Sequence, residues 1–339
     1  MKSVAVTSFA ILAATVGVSA PSQAADPITF KFSFPGPPNS TNLTGGLQPW
    51  ADAVSADSQG TLKVQVYTGG VLASAQQTLD RVLNGVVEVG YSSLGLYGKQ
   101  FQGSSVVELP GLVSSAVQGS VPLWNLYENG TLAEEYKLSK PVALFTFTPA
   151  FLQFKKPVKT LADVKGLKIS VANPMGADVI QRLGAAPITM STIDNYQALQ
   201  RGLVDGALVP YTGFTQFKLQ EVTNYHLEEA LGASGGFVLM NKDAYAKLPA
   251  PAKAAVDKHS GRPFSALMGK ALDATAAQQH GEVEKLPNHP MVHLEPAEAA
   301  RWTERLKPIA DEWVATVPNG AKILEAYKAE LAKIGKTTN

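Results

Sequence analysis

The chain has 339 residues, of which 45% are hydrophobic and 17% are charged, and its 29 Lys and Arg residues nearly balance its 28 Asp and Glu residues. A formal net charge of +1 excludes the strongly basic surface that nucleic acid or an anionic membrane requires of a partner. The chain has no cysteine, so it forms no disulfide, and its length exceeds the roughly 250–300 residues at which one core stops growing, which predicts two lobes.

Residues 1–24 have the pattern of a secretory signal peptide. Lys2 gives a positive start, residues 4–18 are apolar or small, and Ser22-Gln23-Ala24 resembles an A-x-A cleavage site. The alternative is a membrane anchor, which requires about 18 apolar residues and therefore a longer stretch than this one. We expect an exported product cleaved near Ala24, with no stable membrane insertion. Removal of Lys2 leaves 28 basic residues against 28 acidic ones.

Strands alternate with helices after the signal region, which is the pattern of an α/β fold. Alternating or apolar strands are predicted at 28–34, 62–67, 86–91, 142–147, 167–171, 187–190, 204–207 and 235–241. Helical spacing is predicted at 47–58, 76–84, 175–183, 192–201, 250–259, 264–283, 297–317 and 321–334. Ligands of such folds bind at the carboxyl ends of the strands.

The strands at 142–147 and 235–241 are expected to cross between the two lobes. This places residues 25–145 and about 235–275 in lobe I, and residues 146–234 and about 276–339 in lobe II. Two lobes joined by more than one crossing strand form a clamshell that can close around a ligand.

Two patterns suggest catalytic or metal chemistry, and each has a simpler interpretation. Gly232-Ala233-Ser234-Gly235-Gly236 matches the G-x-S-x-G nucleophile elbow, but the apolar strand follows the serine instead of preceding it. A secreted hydrolase that uses Ser234 is therefore the competing hypothesis, and we predict no catalytic residue. His280, His289 and His293 are close in sequence, but prolines break the segment, so solvated loop histidines are favoured over a metal site. No cofactor is predicted.

Two blocks of the chain resemble the solute-binding proteins of tripartite ATP-independent periplasmic (TRAP) transporters, the DctP-like family. One block is K-P-V-K-T at 156–160 with G-L-K-I at 166–169, and the other is A-L-Q at 198–200 with V-D-G at 204–206. The resemblance implies a periplasmic two-lobe receptor with the periplasmic-binding-protein (Venus flytrap) fold and a helical C-terminal part. Such a receptor passes one small organic solute to membrane permease subunits and has no catalytic role.

The chain departs from the family pattern at three polar positions. The family arginine that clamps a carboxylate after G-L-K-I is Ser170 here, a second family arginine aligns near Pro149, and a family asparagine is Val209. A buried carboxylate without a cation costs several kcal/mol, so an aromatic or less polar solute competes with the organic acid that the family implies. A relocated clamp at Lys155, Lys168 or Arg182 is the alternative.

The ligand-binding residues are predicted at or just beyond the strand ends, where aromatic and small polar side chains recur. They are Ser170, Asn173, Pro149, Phe151, Val209, Tyr211, Phe214, Tyr91, Ser92, Ser93, Phe34 and Asn39. Rings suit an aromatic solute and the polar groups orient it, whereas a caged cation would need an acid such as Glu88 or Asp205. An exported binding protein that feeds a sensor remains open as an alternative function.

Overall fold

The structure is a computed structural model that describes residues 26–335, so the predicted signal peptide and its cleavage site near Ala24 lie outside the described residues. The strands are β1 Ile28–Ser33, β2 Leu62–Tyr67, β3 Val89–Ser93, β4 Ser139–Thr146, β5 Phe151–Phe154, β6 Lys168–Val171, β7 Ala186–Thr189, β8 Gly206–Val209, β9 Tyr225–Leu227, β10 Gly235–Asn241 and β11 Met291–Val292. The helices are α1 Gln48–Asp57, α2 Thr78–Leu83, α3 Ala116–Glu128, α4 Leu161–Val164, α5 Pro174–Arg182, α6 Asn195–Gln200, α7 Lys242–Ala246, α8 Ala250–His259, α9 Arg262–Glu284, α10 Pro296–Leu306, α11 Pro308–Thr316 and α12 Gly320–Gly335.

The strands form two mixed sheets, each the centre of one lobe. The first has the order β2-β1-β3-β10-β4 and the second has the order β11-β9-β5-β8-β6-β7. Strands β1, β2 and β3 are parallel, and β10 runs antiparallel to β3 and β4. In the second sheet, β6 is parallel to β7 and β8, whereas β5 is antiparallel to β8 and β9. The predicted α/β fold with two lobes is confirmed.

Besides the longer connection through α9, two short segments connect the sheets, and they are hydrogen bonded to each other. The chain passes from β4 to β5 through residues 147–150 and returns through residues 228–234 to β10. The backbone N–H of Phe147 donates to the carbonyl of Ser234 at 2.8 Å, and that of Ala150 donates to the carbonyl of Gly232 at 2.9 Å. We call these paired segments the crossing strands. They make the junction a short two-stranded ribbon instead of two independent loops.

The long helix α9 runs along both lobes. It packs against α3 and β4 of the first lobe and against the turn at Tyr211–Gly213 of the second. The lobe boundaries remain a prediction, with one correction at the C terminus. The predicted second lobe includes residues 276–339, but α12 packs against α3, where the Tyr327 hydroxyl donates to the Gly119 carbonyl at 3.1 Å. The apolar side chains Ile323, Leu324 and Tyr327 of α12 are buried, and Ile323 and Tyr327 lie against the first lobe.

Two predicted elements differ from the structure for local reasons. The strand expected at 86–91 begins at Val89, because Gly85 has a φ of +66° and starts a turn that leaves Val86 exposed. The single helix expected at 297–317 is two helices, α10 and α11, since Pro308 cannot donate a helical hydrogen bond and opens the second helix instead. Among residues 26–335, no helix is both long and apolar enough to cross a membrane.

Candidate functional site

Polar side chains from both lobes meet at the crossing strands. Asn173 is the N-cap of α5: its Oδ1 accepts from the Gly176 N–H at 2.7 Å, while its Nδ2 donates to Ser234 Oγ at 2.8 Å. From the first lobe, Ser93 Oγ donates to the Gly235 carbonyl at 3.2 Å. Asn and Ser are preferred N-caps, so the sequence orients Asn173 locally, and the spare amide group is available to a partner across the junction. Predicted residues Asn173 and Ser93 are thus brought together here.

A buried carboxyl group, Glu108, lies at the same junction, and the sequence analysis does not identify it. Glu108 ends a short 3₁₀ helix, is 4% exposed, and its Oε1 has no hydrogen-bond partner among the described residues. A Cβ placed on Gly95 would lie 3.4 Å from this oxygen and 3.1 Å from the Cβ of Asn173. Burial raises the pKa of Glu108 to about 7, although the Gly235 N–H lowers it in part. The sequence signal that could have indicated this residue is an acidic side chain within the apolar run V-V-E-L-P.

Four aromatic side chains of the first lobe form a continuous group that ends at the crossing strands. The ring centroids are 5.0 Å apart for Phe34 and Tyr91, 5.7 Å for Tyr91 and Phe145, and 5.4 Å for Phe145 and Phe147. We call these residues the first aromatic group. Burial raises the pKa of Tyr91, whose hydroxyl has no hydrogen-bond partner within residues 26–335. That hydroxyl is free to bind a ligand.

Three aromatic side chains lie at one edge of the second sheet, where β5 begins and β8 ends, and we call Phe151, Tyr211 and Phe214 the second aromatic group. Tyr211 lies 5.4 Å from Phe151 and 5.7 Å from Phe214, measured between ring centroids. The Tyr211 hydroxyl donates to Glu228 Oε1 at 2.5 Å, and His280 Nε2 lies 3.1 Å from the other oxygen of Glu228. Burial, with the hydrogen bond to Glu228, raises the pKa of Tyr211. Unlike Tyr91, Tyr211 already has a partner within its own lobe.

The prediction of solvated loop histidines holds for His293, which is exposed in a loop, and is corrected for His280 and His289. His280 is part of α9, and His289 Nδ1 lies 3.0 Å from Nε2 of the buried His226, whose Nδ1 lies 2.5 Å from Gln153 Oε1. Burial lowers the pKa of His226 to about 4, so this imidazole is neutral at pH 7. Among the described residues, no group of three or more His, Cys, Asp or Glu side chains could hold a metal ion.

The position of the family's clamping arginine faces the interior of the second lobe. Ser170 is 1% exposed, and its hydroxyl donates to Asn195 Oδ1. Ser170 is in register with Ala207, which is in register with Gln153, so the three occupy one row across the sheet. Val209 is 2% exposed in the apolar core beside Phe214. Ser170 and Val209, two of the three departures from the family pattern, are therefore packed in the second lobe, and no buried Lys or Arg side chain lies beside them among the described residues.

The remaining predicted residues are dispersed. Ser92 is buried and donates to the Ala75 carbonyl at 2.8 Å, Asn39 is exposed on the loop after β1, and Pro149 is buried on a crossing strand. Ser92 is therefore engaged within its own lobe, whereas Pro149 lines the junction.

The candidate relocated clamps are directed elsewhere. Lys155 Nζ donates to the Leu199 carbonyl at 2.9 Å, Arg182 pairs with Asp178 and Glu312, and Lys168 is exposed. No Lys or Arg side chain within residues 26–335 is buried. A ligand carboxylate enclosed at the junction would therefore meet neutral hydrogen-bond donors and not a buried cation.

The surroundings of Ser234 differ from those of a hydrolase nucleophile. Ser234 lies on a crossing strand directly before β10, and its Oγ accepts the hydrogen bond from Asn173. A nucleophile elbow needs a strand before the serine and a helix after it. The reversed order and the amide partner do not support the hydrolase hypothesis.

Comparison with known proteins places this geometry among solute receptors. The model of the family described as "Bacterial extracellular solute-binding protein, family 7" (DctP) matches residues 36–316. The C4-dicarboxylate-binding periplasmic protein DctP of Rhodobacter capsulatus is 26% identical, over 95% of this chain and 98% of that protein.

Three similar solved structures are TRAP solute-binding proteins in complex with aromatic acids. The protein of Rhodoferax ferrireducens in complex with copurified benzoate has a TM-score of 0.85 and 27% identity, over 92% of this chain and 100% of that one. A marine metagenome protein specific for aromatic acid ligands, in complex with 3-hydroxybenzoate, has a TM-score of 0.85 and 25% identity, over 91% and 99%. The Bordetella bronchiseptica protein with bound mandelate has a TM-score of 0.83 and 26% identity, over 91% and 100%.

Proposed function

The chain belongs to family 7 of the bacterial extracellular solute-binding proteins, and from this premise we propose that it is the receptor of a TRAP-type importer for one small aromatic acid. Family members and similar structures are binding proteins and not enzymes, in agreement with the predicted absence of catalysis. The family assignment supports the receptor role, and the residues at the junction support the ligand class.

One observation supports an aromatic acid as the ligand. Two aromatic groups lie next to the junction, and no buried Lys or Arg side chain lies there among residues 26–335. A dicarboxylate would bury two charges among neutral donors, and each uncompensated charge costs several kcal/mol, which micromolar binding of about −8 kcal/mol does not absorb. An aromatic monocarboxylate buries one charge and gains ring contacts worth roughly 0.5–1.5 kcal/mol each. The aromatic acids bound by the similar structures agree with this choice.

Closure of the lobes would complete the site. The crossing strands form a short hinge, and Asn173 approaches the first lobe across it. We propose that the Tyr91 hydroxyl and the second N–H of the Asn173 amide orient the carboxylate, while Phe147 and Phe151 contact the ring. The hydroxyls of four other predicted residues already donate their proton to protein acceptors, so we assign supporting roles to Ser93, Ser170, Ser92 and Tyr211.

Titration calorimetry tests the ligand class. We expect benzoate, 3-hydroxybenzoate and mandelate to bind the mature protein, and succinate and malate to leave it unaffected. A ligand at a hundredfold excess over its Kd stabilises the folded state by about 2.7 kcal/mol, so thermal unfolding provides an independent measurement. Binding of succinate without binding of any aromatic acid would overturn the proposal.

The export and partner assignments are proposals of the same kind. Family members are periplasmic, and we propose that residues 1–24 direct export and that the mature receptor delivers its solute to the membrane subunits of a TRAP permease. The mass of the protein recovered from a periplasmic fraction would locate the cleavage site near Ala24. Ligand-dependent uptake by vesicles that contain the permease would test delivery.

A further inference from the structure

We propose that Glu108 determines ligand specificity: its neutral carboxyl group donates a hydrogen bond to the ligand's carboxylate and takes over the role of the family arginine from a different position in the fold. This assignment deepens the proposed function and rests on it. It concerns a residue that the sequence pattern of the family did not indicate.

The position of Glu108 supports a contact with ligand. Its Oε1 is buried and has no partner among the described residues, and buried polar atoms are rarely left unpaired. The side chain lies between Gly95 of the first lobe, Gly235 at the start of β10, and Asn173 of the second lobe. These three elements surround the junction where Ser93 and the proposed ligand donor Asn173 lie. A ligand oxygen at this point would satisfy the unpaired carboxyl group.

The groups around Glu108 favour its neutral form. The Gly235 N–H at the start of β10 donates to its carboxyl group, and the neutral Asn173 of α5 lies beside Gly95, which is close to its Oε1. On its own helix, Ser104 bonds to Glu135, which is part of a separate network. Among the described residues, no cation compensates a charge on Glu108, and burial raises its pKa to about 7.

A neutral carboxyl group can replace a cation in anion recognition. A carboxylic acid kept neutral by an apolar site donates a strong hydrogen bond to an oxyanion, and two carboxyl groups in contact share one proton. The ligand's charge therefore raises the pKa of Glu108 further and draws a proton onto it. Above neutral pH, binding of an ionised aromatic acid is expected to take up one proton.

Calorimetry with benzoate between pH 6 and pH 9 tests the assignment. Benzoate is ionised throughout this window, so a titrating group on the protein must cause any change. We expect the affinity of the wild type to fall up to about tenfold per pH unit above the pKa of Glu108. Repeating the titration at pH 8.5 in buffers of different ionisation enthalpy should show uptake of close to one proton.

Two variants separate this role from a structural one. Glu108→Gln stays neutral and keeps a donor, so benzoate should bind without pH dependence or proton uptake. Glu298→Gln is the matched control, because Glu298 is also buried but its carboxyl group already accepts a hydrogen bond, from the Leu161 N–H at 2.6 Å. We expect this variant to keep the pH dependence of benzoate binding that the wild type shows. A pH dependence caused by any other group of the protein would persist in Glu108→Gln.

The outcomes distinguish the two proposals. Binding of benzoate by the wild type with equal affinity from pH 6 to pH 9 and no proton uptake would overturn the assignment of Glu108 and leave the receptor function intact. The wild-type profile needs no variant, so a Glu108→Gln protein that fails to fold does not block the test. Failure of the wild type to bind any aromatic acid would overturn the ligand class and this assignment together.

Discussion

Asn173 and Ser234 are joined by a 2.8 Å hydrogen bond that links the start of α5 in the second lobe to a crossing strand. The same asparagine caps α5 through its other side-chain atom. One residue thus stabilises a helix and fixes that helix to the hinge, so helix capping and lobe position are coupled.

We expect this coupling to appear in a double-mutant cycle. Asn173→Ser keeps a favourable N-cap but is too short to reach Ser234, and Ser234→Ala removes the acceptor. Their interaction free energy in urea unfolding should be about 0.5–1.5 kcal/mol. Ser92→Ala, whose hydroxyl bonds within the first lobe, serves as the control and should be additive with Asn173→Ser. Additivity of the first pair would contradict the role of the hydrogen bond in joining α5 to the crossing strand.

Restoring the family arginine should destabilise the free protein. Ser170→Arg places a guanidinium at a site that is 1% exposed and offers Asn195 but no carboxylate, so we expect the free energy of unfolding to fall by about 3 kcal/mol or more. Succinate should raise the melting temperature of this variant and not of the wild type. Ser170→Ala, which loses only the hydrogen bond to Asn195, should cost about 1 kcal/mol. An unchanged stability together with no response to succinate would show that position 170 does not set the ligand class.

Loss of the hydroxyl should lower the stability of the protein at Tyr211 and its affinity for benzoate at Tyr91. Tyr211→Phe leaves Glu228 without its 2.5 Å hydrogen bond, and we expect the free energy of unfolding to fall by about 1–3 kcal/mol. Tyr91→Phe removes a hydroxyl without a partner among the described residues, so its stability should change by less than about 0.5 kcal/mol. Its affinity for benzoate should fall about tenfold, the equivalent of one hydrogen bond of about 1.4 kcal/mol. A Tyr91→Phe protein with wild-type affinity would remove Tyr91 from the proposed ligand contacts.

The pH dependence of stability should contain two opposing contributions. His226 has a pKa lowered to about 4, so the unfolded chain binds more protons between pH 4 and pH 6.5, and stability rises with pH there. Glu108 has a pKa raised to about 7, so the folded state holds its proton between pH 4.5 and pH 7, and stability falls with pH there. Each of these two contributions to the free energy of unfolding is on the order of 3 kcal/mol.

Urea unfolding at several pH values between 4 and 7 separates these contributions. Relative to the wild type, Glu108→Gln should become more stable as the pH rises through this window, because it lacks the buried carboxyl group whose ionisation destabilises the wild type. His226→Gln should become less stable relative to the wild type over the same window. Parallel pH profiles for all three proteins would contradict the burial of these groups in the folded state.

Local patterns predicted most of the elements of the fold. The alternating side chains of β1 and β2 and the apolar strand at 235–241 depend on residues that are close together in the sequence, so the sequence determines these elements directly. The start of β3 and the division at Pro308 were missed because a turn glycine and a helix-opening proline outweighed the apolar periodicity.

The candidate site depended on contacts between distant parts of the chain. The sequence supplied Asn173, Ser93 and the rings, but it indicated neither the bond between Asn173 and Ser234 nor the unpaired carboxyl of Glu108. Ser170 could be identified as a departure from the family pattern, whereas its bond to Asn195 required the register of the second sheet.

The sequence by itself therefore determined the class of the molecule: strands alternating with helices, a chain long enough for two lobes, and the blocks shared with TRAP receptors. These properties follow from local propensity and from hydrophobic periodicity, which neighbouring residues encode. Only the tertiary structure decided which polar groups at the junction have partners and which do not. The pKa of Glu108 and the availability of the Tyr91 hydroxyl depend on burial and on packing between residues far apart in the chain, which no local pattern specifies.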